Sequence, residues 1–190
     1  MLVKKLILEE INSLRTNPSE YADKIAKYKG YFDKDYLKIP GGKKFITQEG
    51  VAAYEEAEKF LRSTSPLSPL TASKGLTKIS EDLLKVAQSC DPGAIDSNVD
   101  IKKLVNKYGR FEGSFGRLME FGGETPEQIV INLVVSDGDK SRSQRNQLFD
   151  KKFKVVGLDS GDHQDFLKCT MITLATSFKY NADPDDVENY

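Results

Sequence analysis

Histidine, cysteine and long apolar runs are scarce in this sequence, and each scarcity removes a class of function. His163 is the only histidine among 190 residues, which excludes any site that needs two imidazoles. Cys90 and Cys169 are the only cysteines, too few for a disulfide scaffold. Both are read as small buried hydrophobes in a reduced compartment. No stretch approaches the roughly 18 apolar residues that a membrane span needs. The opening Met1-Leu2-Val3-Lys4-Lys5-Leu6 is broken by Lys4, Lys5, Glu9 and Glu10, unlike a secretory leader. An excess of either charge is missing too. With 28 basic and 29 acidic residues, nothing draws the chain generally toward nucleic acid or anionic lipid. G-x-S-x-G, G-x-x-x-x-G-K and full EF-hand spacing are all absent, and no internal repeat is visible. A cytoplasmic protein is expected, with one real core in a single domain.

What is present is a clear order of elements. Val3, Ile7, Ile11 and Leu14 predict an opening helix that ends at Arg15-Thr16. Asn17-Pro18-Ser19-Glu20 predicts a capped second helix carrying Tyr21, Ala22, Ile25 and Tyr28 and stopping at Gly30. Residues 31–48 read as a loop, 51–62 as a helix, and 63–69 as a Ser/Pro linker. Leu76, Ile79, Leu83, Val86, Ala87 and Cys90 line a long helix that Asp91-Pro92-Gly93 breaks. A short helix is expected over 101–107, a strand over 115–121, and a helix from the capping box Thr125-Pro126-Glu127-Gln128 to the stop Asp137-Gly138. A short polar helix at 140–149 precedes strands over 153–158 and 166–178. The last strand is apolar on both faces, as a covered central strand should be. Helices first and a helix–strand mixture later imply an α+β protein: a three-layer α-β-α sandwich with a small, mainly antiparallel central sheet. The domain spans 1–180, followed by an acidic tail at 181–190 that reads as solvated.

Several of these segments resemble the CAP superfamily, or SCP domain, of cysteine-rich secretory proteins, antigen 5 and pathogenesis-related 1. Residues 11–22, I-N-S-L-R-T-N-P-S-E-Y-A, resemble the family's N-x-x-R-x-x-P-x-x-Y-A signature. Residues 76–90 resemble its first site helix, and 126–146 the stretch that ends in S-R-G-H-R. Val155-Val156-Gly157-Leu158 matches its V-G-(V/I) strand, and Leu174-Ala175 falls where members read F-A. The segment 31–70 has no clear counterpart and reads as an insertion. The resemblance implies the same sandwich and, in many members, a cleft with two histidines and two acidic residues that holds a divalent metal. This chain departs from that set. Ser89 stands where the first histidine is expected, Arg117 where a glutamate is expected, and Gln144 where the second histidine is expected. Serine, arginine and glutamine do not bind zinc as a set, and Arg117 would repel a cation. No metal or cofactor is therefore expected.

The remaining candidates divide between chemistry and plain structure. A ligand or proton-carrier role for His163, beside Asp162 and Asp165, competes with that of an exposed or turn-packing histidine, and the second is favoured. Asp137-Gly138-Asp139 reads better as a helix stop than as a hard-cation site. Lys140, Arg142, Arg145, Lys151, Lys152 and Lys154 read as a solvated helix face rather than a phosphate or acidic-protein contact. The expectation is a non-catalytic CAP/SCP-like module that binds protein partners in a larger intracellular assembly, of cytoskeletal or ciliary type. Two alternatives remain. One is a hydrolase cleft rebuilt around His163, Asp137 and Glu120. The other is a lipid or sterol groove lined by the helix from Leu76 and the insertion.

Overall fold

The computed structural model of this chain describes residues 2–42 and 44–181. The acidic tail beyond Asn181 lies outside the described residues. The chain runs through α1 (Leu2–Thr16), α2 (Pro18–Lys29), β1 (Phe32–Asp33), β2 (Tyr36–Lys38), β3 (Lys44–Ile46) and α3 (Val51–Ser63). It continues through β4 (Thr71–Ala72), α4 (Lys74–Ala87), a 3₁₀ turn at Pro92–Ala94, α5 (Ile95–Asn98), α6 (Ile101–Tyr108) and β5 (Gly109–Phe121). Last come α7 (Pro126–Val135), α8 (Ser143–Leu148), β6 (Val155–His163) and β7 (Leu167–Tyr180). This is the α+β class expected from the sequence. The elements fall into two units interleaved along the chain, Met1–Pro69 with Gly123–Lys151, and Leu70–Gly122 with the chain from Lys152 onward.

In the first unit α1, α2, α3 and α7 pack through the periodic residues named above. Ile7, Ile11, Leu14, Ile25 and Leu61 are fully buried. Arg15, the arginine of the opening signature, is buried too. Its Nε donates to Ser68 O at 3.2 Å, its Nη1 donates to Leu148 O, and its own carbonyl accepts from Leu67 N at 2.8 Å. One side chain and one peptide group thus fasten the Ser/Pro linker to the end of α1. Two expectations fail locally. Asn17 precedes α2 without capping it through its side chain, and Gly30 ends the helix at φ −68°, not in the left-handed form. Residues 31–48 are not a plain loop. They hold the antiparallel β1-β2-β3 sheet, with Phe32 opposite Leu37 and Leu37 opposite Phe45. These strands have two or three residues each and bury only Leu37, too little for a period-two signal.

In the second unit the sheet order is β4-β6-β7-β5, antiparallel except for β4 with β6. From Cys169 to Ala175 every residue of β7 is buried, as expected for a strand covered on both faces. Helix α4 lies on one face, and Leu76, Ile79, Leu83 and Ala87 join Cys169, Met171 and Ala175 in one core. Gly157 fixes how close α4 comes. A Cβ there would lie 2.0 Å from Leu76 C and 2.1 Å from Thr77 N, so helix backbone rests directly on strand backbone. Contact this close leaves carbonyls that need donors. Thr173 Oγ1 lies 3.0 Å from Leu76 O, Ser80 Oγ donates to Gly157 O at 3.0 Å, and the two hydroxyls are 3.0 Å apart. Both residues are fully buried. The glycine of the V-V-G-L strand is there for close approach, and the two hydroxyls satisfy the carbonyls it brings together.

Candidate functional site

Residues 126–146, compared above with the stretch that ends in S-R-G-H-R, contain α7. An α-helix leaves its last carbonyls without intrahelical partners, and here each has a donor. Ser136, in the left-handed conformation at φ 50°, donates from N to Asn132 O at 2.9 Å and from Oγ to Leu133 O at 2.9 Å. Arg145 donates from Nε to Val134 O at 2.5 Å and from Nη2 to Val135 O at 3.2 Å. Arg142 donates from Nη1 to Ser136 O at 2.9 Å. Two guanidinium groups at a helix C-terminus also face the negative end of its dipole.

The same arginines hold α3. Glu49 accepts from Arg142 through both oxygens, at 2.5 and 2.8 Å, and from Gly138 N at 2.8 Å. Glu56 bridges Arg142 Nε at 2.7 Å and Arg145 Nη1 at 2.8 Å. Asp137 receives Gln48 N at 2.7 Å and Glu49 N at 2.9 Å on its two oxygens. Asp139 collects Ser141 N and Oγ on one oxygen and Ser143 N and Oγ on the other. The Arg142 hydrogen bond and the Gly138 amide lower the Glu49 carboxyl to about 2. The two serine hydroxyls hold Asp139 well below the usual range. Glu56 is lowered by Arg145 and Arg142 against an opposing effect of burial, and burial lowers the guanidinium of Arg145. Arg145 is 2% exposed and its guanidinium lies 5.2 Å from the Phe60 ring centroid. The basic stretch is therefore not a uniform solvated face: Lys140, Lys151, Lys152 and Lys154 are exposed, while Arg142 and Arg145 are internal ties. Gln144 sits half-buried between them on α8.

The other candidates belong to the second unit. Ser89 lies exposed in the turn beyond α4, which ends at Ala87 rather than at Cys90. Arg117 lies opposite Thr173 in the sheet and is paired with Asp96 beside α4's core face. Burial lowers its guanidinium. His163 is 5% exposed at the end of β6. Its Nδ1 accepts from Asp165 N at 3.0 Å and Phe166 N at 3.2 Å, which leaves the proton on Nε2, 3.2 Å from Cys90 O. The ring also stands edge-on to Phe121. Both nitrogens are engaged with backbone, which is the turn-packing role. Glu120 is buried opposite Thr170, whereas Phe121, opposite Cys169, shares the face of His163. Strand alternation therefore sends Glu120 and His163 to opposite faces of the sheet.

The set Ser89, Arg117 and Gln144 offers neither imidazole nor carboxylate and does not fit a divalent metal. Among the described residues no three His, Cys, Asp or Glu side chains are disposed to hold one. The apolar face of α4 is filled by the sheet rather than open as a groove. A shallow surface on α3 is lined by Glu55, Glu58, Lys59, Arg62 and Ser63, a charged rather than lipid-like lining. Among the described residues no helix is long and apolar enough to cross a membrane. Sequence reasoning missed Glu49 and Glu56, whose charges look like those of any solvated helix face.

Neither the family models nor the curated proteins give a match to this sequence. Among solved structures, a cysteine-rich secretory protein from Staphylococcus aureus superposes with a TM-score of 0.42 at 15% identity. The alignment covers 72% of this chain and 42% of that one.

Proposed function

We propose that this chain is a divergent, intracellular CAP/SCP-like domain without catalytic activity, acting as a structural or protein-binding module in a larger assembly. One observation carries the reading. The side chains best suited to chemistry are already committed to holding the frame: both nitrogens of His163, both oxygens of Asp137 and of Asp139, and the Arg142–Glu49–Glu56–Arg145 set. A general base needs an open lone pair within hydrogen-bond reach of its substrate, and the bonds to His163 and to both Asp139 oxygens occupy theirs. The motif positions Arg15 and Gly157 support the CAP/SCP-like part, since each performs a frame-building task. A cytoskeletal or ciliary setting belongs to the same proposal. Size-exclusion chromatography of native extract against the purified chain tests it. The native protein should elute well above 21.3 kDa and the purified chain at that mass. Co-elution of both at 21.3 kDa contradicts the module reading.

A further inference from the structure

The two cysteines, first read as inert hydrophobes, both pack on one core cluster of the second unit. Cys169 faces α4 from β7, with Gly161 of β6 on one side and Phe121 of β5 on the other. Three contacts bring the turn after α4 down onto that spot. Gln88 lies over Gly161, where a Cβ would be 3.0 Å from its Nε2. Gln88 O accepts from Gln164 N at 3.2 Å. Cys90 O accepts from the His163 ring, which in turn packs on Phe121 across β7. Cys90 packs against the same core cluster that contains Cys169. Both carry free thiols, Cys90 half-buried and Cys169 buried.

We propose that Cys90 and Cys169 form a redox-active pair that closes to an intrachain disulfide under peroxide and reopens with a thiol reductant. Cys90, the more accessible, reacts first. Its thiolate attacks one peroxide oxygen, the O–O bond breaks, and hydroxide leaves with Cys90 oxidised by two electrons to a sulfenic acid. The Cys169 sulfur then attacks the sulfenic sulfur. The S–O bond breaks, and the hydroxyl takes the thiol proton and leaves as water. In sum, two thiols and one peroxide give a disulfide and two waters. Burial pushes the Cys169 thiol up to about 11, consistent with a resolving rather than an attacking role. The bond would tie the turn beyond α4 to the central strand, and closing so long a loop restricts the unfolded chain.

The test treats the purified full chain with hydrogen peroxide and reads the intact mass, a non-reducing peptide map and the melting temperature. The expected result is the loss of two hydrogens, a Cys90–Cys169 linked peptide, and a rise in Tm of roughly 5–10 °C that dithiothreitol reverses. Cys90→Ser, in a half-exposed turn, should keep the Tm of the reduced protein and abolish both the mass change and the rise. Cys169→Ala should leave Cys90 as a sulfenic acid or an interchain dimer. If that variant fails to fold, the Cys90→Ser comparison and the peptide map decide alone. In the unsubstituted chain, three outcomes overturn the proposal: both thiols still alkylatable, an oxyacid on Cys90 beside a free Cys169, or a Cys90–Cys90 interchain bond.

Discussion

The two units use opposite means to hold a helix in place. In the first, charge does it: Arg142 and Arg145 tie the end of α7 to Glu49 and Glu56 of the α3 region through a network that is partly open to water. In the second, absence of bulk does it: Gly157 lets α4 rest on the sheet, and two buried hydroxyls satisfy the carbonyls. The first arrangement responds to pH and salt. The second ignores both and tolerates no added methyl. The groups that look chemically interesting sit in the charged unit or at the sheet's end, while the most closely packed position carries no functional group at all.

Breaking the second arrangement should have the largest effect. Gly157→Ala pushes a Cβ into fixed helix backbone and should cost about 4 kcal/mol or more in urea denaturation. A loss under about 1 kcal/mol would mean that α4 can shift. Thr173→Val sharpens the same point by keeping shape and removing the hydroxyl. Leu76 O then loses a donor, and a loss of about 1–3 kcal/mol is expected. In the first unit, Thr125 Oγ1 accepts from Gln128 N at 3.2 Å, so Thr125→Ala should cost about 1 kcal/mol. The smallest effect concerns acid. The carboxyl of Glu49 is lowered in the folded state from 4.5 to about 2. Its stabilisation is therefore complete above the unfolded value and disappears as pH falls through the folded one. Glu49→Gln should flatten the stability profile between these two values and leave Thr173→Val's loss unchanged. A profile that remains as steep would remove Glu49 from the account.

Much of the frame was legible because its signals are periodic or local. The helices at 2–16, 51–63 and 126–135 and the last strand, expected to Phe178 and found to Tyr180, follow from apolar spacing and caps. The capping box at Thr125 formed with a variation, since Gln128 Oε1 accepts from Glu124 N rather than from Thr125 N. Strands of two or three residues, such as β1 and β4, carry no period to read. That Ser89, Arg117 and Gln144 cannot bind zinc as a set was legible from residue identity alone. The tie between Arg145 and Glu56 was not. Arg145 and Glu56 are 89 positions apart, and no local pattern distinguishes an arginine that caps a distant helix from one that faces water. The ring of His163 was legible as a turn residue, while its bond to Cys90 O depends on how the sheet folds.

The central claim is that Arg142, Arg145 and their carboxylate partners serve the frame. The stability of Arg145→Met tests it most directly. This change keeps an apolar stem beside Phe60 and removes the donors to Val134 O, Val135 O and Glu56. Equilibrium denaturation should show a loss of about 2–4 kcal/mol. A loss within about 0.5 kcal/mol, the ordinary range for a solvated surface residue, would contradict the claim.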